Sequence, residues 1–381
     1  MRTAGRKHRT ARSAAAVVAA VAAGVSCLAV GPAAQAVSPP GWTVQRTPAL
    51  SGTLLSVARL DAHTTLAVGN IMVVKGPGRP LLLSRDDRDH RGWRVVPTPE
   101  DARTGDIYSS VSASSTKDAW VTGVSFTGLT VPAEHWNGRT WQTAEVPVPA
   151  HSGAGVHVAA VSPGDAWAAG WYFPTGASET RPLLRHWTGA GWHAVALPHG
   201  SDVANLVSVT ATSAHDVWAV GYSTRDQPRV LHYDGRTWTQ VAKLGFHGLY
   251  GEVGGVAAHG PNDVWAVGRV LTGEHDRGHA LVLHWDGHAW HQVTAPRDAG
   301  PLASVTLTPQ GILAVGENAA QTAGIALRST ATGLAEQALP RVAGTSPDPV
   351  AVTSEGNRIT VVGELMPPTA ALPSPLILAE P

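Results

Sequence analysis

Between residues 206 and 241 the apolar and polar positions fall into four short runs. Val207-Ser208-Val209-Thr210-Ala211 alternates, Val217 to Gly221 is continuously apolar, and Arg229 to Tyr233 and Trp238 to Val241 are short runs rich in β-branched and aromatic residues. Ser213 to Asp216 and Asp234-Gly235 supply turn chemistry between these runs. Short β-branched and aromatic runs separated by such turns are hairpin signals, so the segment predicts four antiparallel strands, A to D, in one small sheet.

The pattern repeats. Asp216-Val217-Trp218-Ala219-Val220-Gly221 has close copies at Asp263-Val264-Trp265-Ala266-Val267-Gly268, and shorter ones at Asp118-Ala119-Trp120 and Asp165-Ala166-Trp167. Successive tryptophans are 47, 51 and 47 residues apart. A period of this size with strand-like contents marks the blades of a β-propeller. By this template units begin near Leu54, Tyr108, Val156, Leu206, Gly251, Leu302 and Pro349. The sixth has decayed: Ile312 to Gly316 keeps strand B without its Trp, and Ala335 to Pro340 replaces the Trp-led strand D. The seventh stops after strand C at Pro375 to Ala379, while Trp42 to Pro48 reads as a strand D with no unit of its own. The expectation is an all-β, seven-bladed β-propeller of four-stranded antiparallel blades, its last blade closed by the N-terminal strand, leaving no open edge.

A different pattern precedes the repeats. Arg2, Arg6, Lys7, Arg9 and Arg12 lead into an Ala-rich apolar run, Ala14 to Val30, and then Ala34-Gln35-Ala36. This predicts a secretory signal peptide over residues 1–36 and a single propeller domain over 37–381. Cys27, the only cysteine, lies inside the leader, with Gly24 where a lipoprotein signal wants Leu; the mature chain would have neither disulfide nor thiol chemistry. Without the five basic residues of the leader, 23 basic residues face 28 acidic ones. That balance argues against a nucleic-acid partner. No later run is long enough to span a bilayer, so no membrane insertion is expected after cleavage, and the mature protein is expected outside the cell. The preference for Arg over Lys and the plentiful Ala, Gly and Val suggest a high-GC bacterial source.

The candidate chemistry is sparse. Repeated tryptophans could stack on sugars, but a strand-B Trp recurring at one place predicts packing between sheets. Trp136, Trp187 and Trp285 with Tyr233, and Trp141, Trp192, Trp238 and Trp290, flank the C–D turns nearer the rim. His135, His186, His232 and His284 precede one set of these rings. A position occupied identically around a ring predicts a repeated hydrogen bond, not a catalytic base. No carboxylate or thiol at metal-ligand spacing supports His284, His288 and His291, so no metal is expected, and no cofactor. The chain contains no Gly-x-Ser-x-Gly, no His-Glu-x-x-His and no phosphate-binding loop. A carboxylate-pair glycosidase stays open, since its two acids could come from different blades.

The loops are asymmetric. A–B and most C–D turns are tight and uniform, whereas B–C and D–A connections vary: Asn70 to Arg79, Ser125 to Pro132, Trp171 to Arg181, Gly245 to Gly251, Leu271 to His279 and Glu364 to Ser374. Both variable kinds emerge on the same face, where a rigid scaffold displays recognition loops. Trp171-Tyr172-Phe173-Pro174 and Phe246-His247-Gly248-Leu249-Tyr250 place large apolar groups where sister units carry small or polar ones. Trp171, Tyr172, Phe173, Arg181, Phe246, His247 and Tyr250 are therefore the candidate ligand- or partner-binding residues, expected on two loops within reach of each other.

Asp263 to Gly268 followed by His284 to Trp290 resembles the repeats of secreted bacterial propellers grouped with Kelch and galactose-oxidase-like chains. The copper cofactor of galactose oxidase needs a Tyr-Cys crosslink, which a mature chain without cysteine cannot make. Asp234-Gly235-Arg236-Thr237-Trp238 is one residue shorter than a sialidase Asp box, and no arginine triad accompanies it. Val-Trp-x-Val followed by a short hairpin and Gly-x-x-Trp is closer to the tectonin-type, WD40-like lectins. That resemblance implies a non-enzymatic, lectin-like protein binding a protein or glycan at a cell surface, in the manner of a subunit of a larger extracellular, toxin-like bacterial assembly. The alternative is an extracellular polysaccharide hydrolase or lyase.

Overall fold

The computed structural model describes residues 41–99, 105–126, 129–241, 244, 248, 250–273, 276–342, 346–367 and 372–380. The expected leader lies outside them. The described chain is all β, and among the described residues no helix is long and apolar enough to cross a membrane.

After β1 (Thr43–Val44), the first sheet comprises β2 (Gly52–Arg59), β3 (Thr64–Ile71), β4 (Arg79–Asp86) and β5 (Arg94–Val95). Then come β6 (Ile107–Ser115), β7 (Asp118–Ser125), β8 (Thr130–Val131), β9 (Ala133–Trp136), β10 (Trp141–Thr143) and β11 (Val146–Pro147). They are followed by β12 (His151–Ser162), β13 (Asp165–Pro174), β14 (Arg181–Trp187) and β15 (Trp192–Ala194). Here the organisation departs from expectation: β7 pairs with β12, so that β6, β7, β9, β10 and β12 to β15 form one eight-stranded sheet, and β8 pairs β11 apart from it. Two separate four-stranded sheets follow. One holds β16 (Val203–Ser213), β17 (Asp216–Ser223), β18 (Pro228–Tyr233) and β19 (Trp238–Gln240); the other β20 (Tyr250–Gly260), β21 (Asp263–Leu271), β22 (His279–Trp285) and β23 (Trp290–Gln292). The decayed unit still forms a sheet from β24 (Ala299–Thr308), β25 (Gly311–Asn318), β26 (Gly324–Thr330) and β27 (Gly333–Ala338). The last sheet holds β28 (Ser346–Glu355), β29 (Arg358–Met366) and β30 (Ser374–Glu380), and β1 completes it, with Thr43 opposite Ala379 and Val44 opposite Leu378. Trp42 is 2% exposed among Leu313, Leu339, Ile359 and Leu376.

The architecture is a β-propeller. Its inner strands pack in sequence, β2 on β6, β6 on β12, and onward to β28, which returns to β2. Serines zip several of these seams: the Val111 N–H donates to Ser56 Oγ, Val158 to Ser110, Ala160 to Ser112 and Val352 to Ser304, at 3.0–3.3 Å. One glycine recurs on strand B of every unit, the decayed ones included: Gly69, Gly123, Gly170, Gly221, Gly268, Gly316 and Gly363. A Cβ at any of them would stand 1.9–2.1 Å from a carbonyl oxygen of the neighbouring inner strand, which no side chain can accept. The glycine records a close backbone approach, so it outlives the tryptophan three residues before it.

Those tryptophans pack between sheets as expected. Trp120 meets the rings of Trp187 and Trp192 at 4.9 and 5.0 Å, Trp167 meets Tyr233 and Trp238 at 4.9 and 5.3 Å, and Trp218 meets Trp285 and Trp290 at 6.0 Å. On the other face of each Trp lies a histidine. His135, His186, His232 and His284 stack on Trp120, Trp167, Trp218 and Trp265 at 3.8–4.2 Å, while each Nε2–H donates to Asp118, Asp165, Asp216 or Asp263 at 2.7–2.9 Å. Trp136, Trp187 and Trp285 in turn donate their indole N–H to carbonyls of the A–B turn, at Thr116, Pro163 and Pro261. The repeated aromatic and histidine positions are structural, and they belong to the uniform side of the ring.

Candidate functional site

The variable side is where the sheets fuse. In six of seven units the inner strand carries a register shift opposite the strand-B glycine, between Leu54 and Ser56, Tyr108 and Ser110, Leu206 and Ser208, Val253 and Gly255, Leu302 and Ser304, and Pro349 and Ala351. β12 has none there, pairing Val156, His157 and Val158 continuously with Gly170, Ala169 and Ala168. A bulge adds a residue, bends its strand and increases its twist. Without a bulge at this level, and with its register shifting only nearer its ends, between His151 and Gly153 and between Ala160 and Ser162, β12 lays Ala154 and Gly155 against Ser125 and Val124 of β7.

This corrects the sequence expectation for Trp171 to Arg181. Trp171, Tyr172 and Phe173 are strand, not loop: β13 extends to Pro174, and the B–C connection shortens to residues 175–180. Arg181 opens β14 opposite Tyr172 and is exposed. Strand alternation then sorts the aromatics. Tyr172 packs on the buried cluster containing Trp120, Val146 and Leu183. Trp171 and Phe173 share the opposite face, half-buried, their rings 5.5 Å apart and edge to face. Their cross-strand neighbours are Gly155 and Gly153, bare backbone on which rings can lie. A Cβ on Gly155 would stand 2.9 Å from Val124 Cγ2 and 3.4 Å from the Trp171 ring, and one on Gly153 would stand 3.8 Å from both Phe126 and Phe173. Phe126 thus joins Trp171 and Phe173 around a glycine floor. It is 37% exposed, and Leu129 beyond it is 61% exposed.

Tyr250 is also strand: it opens β20 opposite Leu271 and is 38% exposed. The expected proximity of the two segments is not found among the described residues, because the whole β16–β19 sheet stands between β12–β15 and β20–β23. Phe246 and His247 lie outside the described residues. The structure adds Phe126, Leu129, Val73, Val74 and Met366, which sequence reasoning did not single out. Of the seven large apolar side chains exposed among the described residues, all but Val95 sit at B–C or D–A connections or the adjoining strand ends. A sequence signal existed: the chain has only three phenylalanines, Phe126, Phe173 and Phe246, and each falls in a variable segment while Trp supplies the packing between sheets.

The platform is also poor in charge. Residues 119–133, 146–156 and 166–178 contain no Asp, Glu, Lys, Arg, Asn or Gln, and His151 is their one histidine. Elsewhere on the same side two arginines meet acids in pairs: Arg229 with Asp202, whose carboxyl is held down to about 2 chiefly by that guanidinium, and Arg269 with Glu252 at 2.9 Å. Among the described residues no group of three His, Cys, Asp or Glu gathers as a metal site; His284 is held by Asp263 and His291 by Asp286.

No protein-family model matches the chain, and no curated protein does. Solved structures do. YCF48 bound to a D1 peptide is similar over 91% of this chain and 99% of its own, at 13% identity and a TM-score of 0.57. A six-bladed fucose-binding lectin from the fungus Aleuria aurantia is similar over 76% and 95%, at 11% identity and 0.48. A protein of unknown function from Dyadobacter fermentans is similar over 92% and 100%, at 14% and 0.49. At these identities the likeness is one of fold: the chain is a β-propeller.

Proposed function

We propose that the protein is a secreted, non-enzymatic bacterial propeller that binds a protein at a cell surface through the Phe126–Leu129–Trp171–Phe173 platform. In this reading the eight-stranded sheet counts as two fused blades, giving seven in a closed ring, and the domain serves as the recognition subunit of a larger extracellular assembly. The observation that carries it is an exposed aromatic and aliphatic surface confined to one face, over three segments without a charged or amide side chain. Exposed apolar clusters mark interaction sites, with aromatic rings as anchors. A hydroxyl-rich ligand would need planar polar partners to offset its desolvation; the platform offers apolar area instead, which favours an uncharged stretch of polypeptide over a glycan. YCF48, the most similar fold of the three, was solved with a peptide, which agrees with this choice.

Three assays on the purified 37–381 chain test it: an array of uncharged apolar peptides, a glycan array, and reducing-sugar release from polysaccharides. Peptide binding that falls about tenfold in Phe126→Ser/Leu129→Ser with the melting temperature kept supports the reading. Glycan binding lost in the same variant would reassign the platform to a lectin, and sugar release would overturn the non-enzymatic reading.

A further inference from the structure

Glu317 on β25 and Glu364 on β29 each lie within reach of the charge of Asp348 on β28, where the β24–β27 sheet meets the sheet completed by β1. Asp348 and Glu364 are direct cross-strand partners. Glu317 stands opposite Gly324, and a Cβ on Gly324 would lie 2.9 Å from Pro349 Cδ and 3.3 Å from the Pro347 carbonyl, so the two residues flanking Asp348 press on the strand beside Glu317. All three carboxylates are half-buried, and none takes part in an ion pair among the described residues.

No element packed here supplies a cation to them. β24 has no ionisable side chain, and β25 has only Glu317. On β26, Arg328 is engaged with Gln337 and Glu380; on β28, Glu355 is engaged with Arg59 of β2; on β29, Arg358 donates to the Ala62 carbonyl. β27 brings a further acid, Glu336, and β30 brings Glu380. Residues 342–347 and 365–379 carry no charge at all; the cations nearest the seam are exposed Arg341 and exposed Arg277, whose guanidinium donates at 3.2 Å to the carbonyl of Ala320, just beyond β25.

We infer that this seam is a proton-dependent latch: the Glu317–Asp348–Glu364 cluster holds the two sheets together when protonated and pushes them apart when ionised. Desolvation, then the charge of Asp348, raises Glu317 and Glu364 to about 7, and burial raises Asp348 as well. The sign follows from linkage. A carboxyl whose folded value lies above its unfolded value keeps its proton longer in the native state, so stability falls as pH rises from about 4.5 toward 7 and then levels off. The seam is tightest in mild acid.

Thermal melts of the 37–381 chain from pH 5 to 8, with hydrogen exchange corrected for intrinsic rate, test this. The melting temperature is expected to fall by several degrees across the range, with protection lost over residues 311–318 and 346–355 while residues 216–223 stay protected. Glu317→Gln/Glu364→Gln, which keeps shape and removes charge, should flatten the slope and restore protection at pH 8, and Asp348→Asn alone should do so in part. A slope unchanged in these variants would overturn the latch, as would uniform loss of protection around the ring. Because the seam is remote from the platform, its test stands whatever the peptide and glycan arrays return.

Discussion

Asp216 and Glu364 are both carboxylates on second strands of their sheets, yet their surroundings are opposite. Asp216 is buried and receives His232, Thr212 and the Trp218 indole; burial pushes its pKa up, but these donors outweigh it and hold it below the ordinary value. Glu364, pushed up first by burial and then by Asp348 across the ladder, has no donor among the described residues and rises to about 7. Asp263, with His284, His259 and Trp265, repeats the first case. Where the Asp–Trp–His pattern survives, a polar group has been built into the packing with its partners. Where it has decayed into aliphatic strands, acids remain at a seam without them. Regularity in this ring is a matter of hydrogen-bond accounting as much as of apolar area.

The largest expected effect falls on the sheet that holds Glu364. Deleting residues 42–48 removes β1 and Trp42, and losing a buried Trp alone typically costs about 3–5 kcal/mol. Melting should drop by many degrees; a change within a degree or two would mean that β1 does not close the ring. Next, Asp216→Ala strands a buried indole N–H and the imidazole stacked on it, for a loss of about 2–4 kcal/mol, whereas Glu364→Gln should cost nothing at pH 8 and gain stability. Denaturant titrations of both variants check the contrast, and equal losses would erase it. Acid should then divide the two environments. Asp216 and Asp263 contribute stability that is present above about 3.8 and lost as pH falls through their depressed values, while the seam gains as pH falls from about 7 to 4.5. Together they place the melting maximum in mild acid, and a maximum at or above neutrality would refute the pairing. The smallest effect on stability belongs to Phe126→Ser/Leu129→Ser, about 1 kcal/mol, because Leu129 is 61% exposed and Phe126 37% exposed at the end of a strand, even though peptide binding should fall about tenfold.

The propeller was legible because its determinants are local and repeated: turn residues, the Asp-x-Trp strand, and a glycine that only a close backbone approach requires. The histidines were legible as a repeated hydrogen bond, though the sequence did not say that Asp at the start of the same strand B would accept it. The site was half legible. Aromatic residues at Trp171 to Phe173 flagged the place, but strand and loop look alike when the deciding feature is an absent residue in β12, seen only by register. Phe126 was passed over because a single ring in a polar loop has no periodicity to betray it. The carboxylate seam could not be seen at all, since Glu317 reaches Asp348 only through the packing of separate sheets.

The continuous register of β12 beside Gly170 carries an implication for how such a surface could arise. Every other inner strand holds one more residue at that level, so adding a single amino acid beside His157 should restore the kink, part β12 from β7, and withdraw the aromatic shelf without touching a ring on it. Gain or loss of this aromatic shelf is then a one-codon event, invisible to any comparison that scores only which side chains are present.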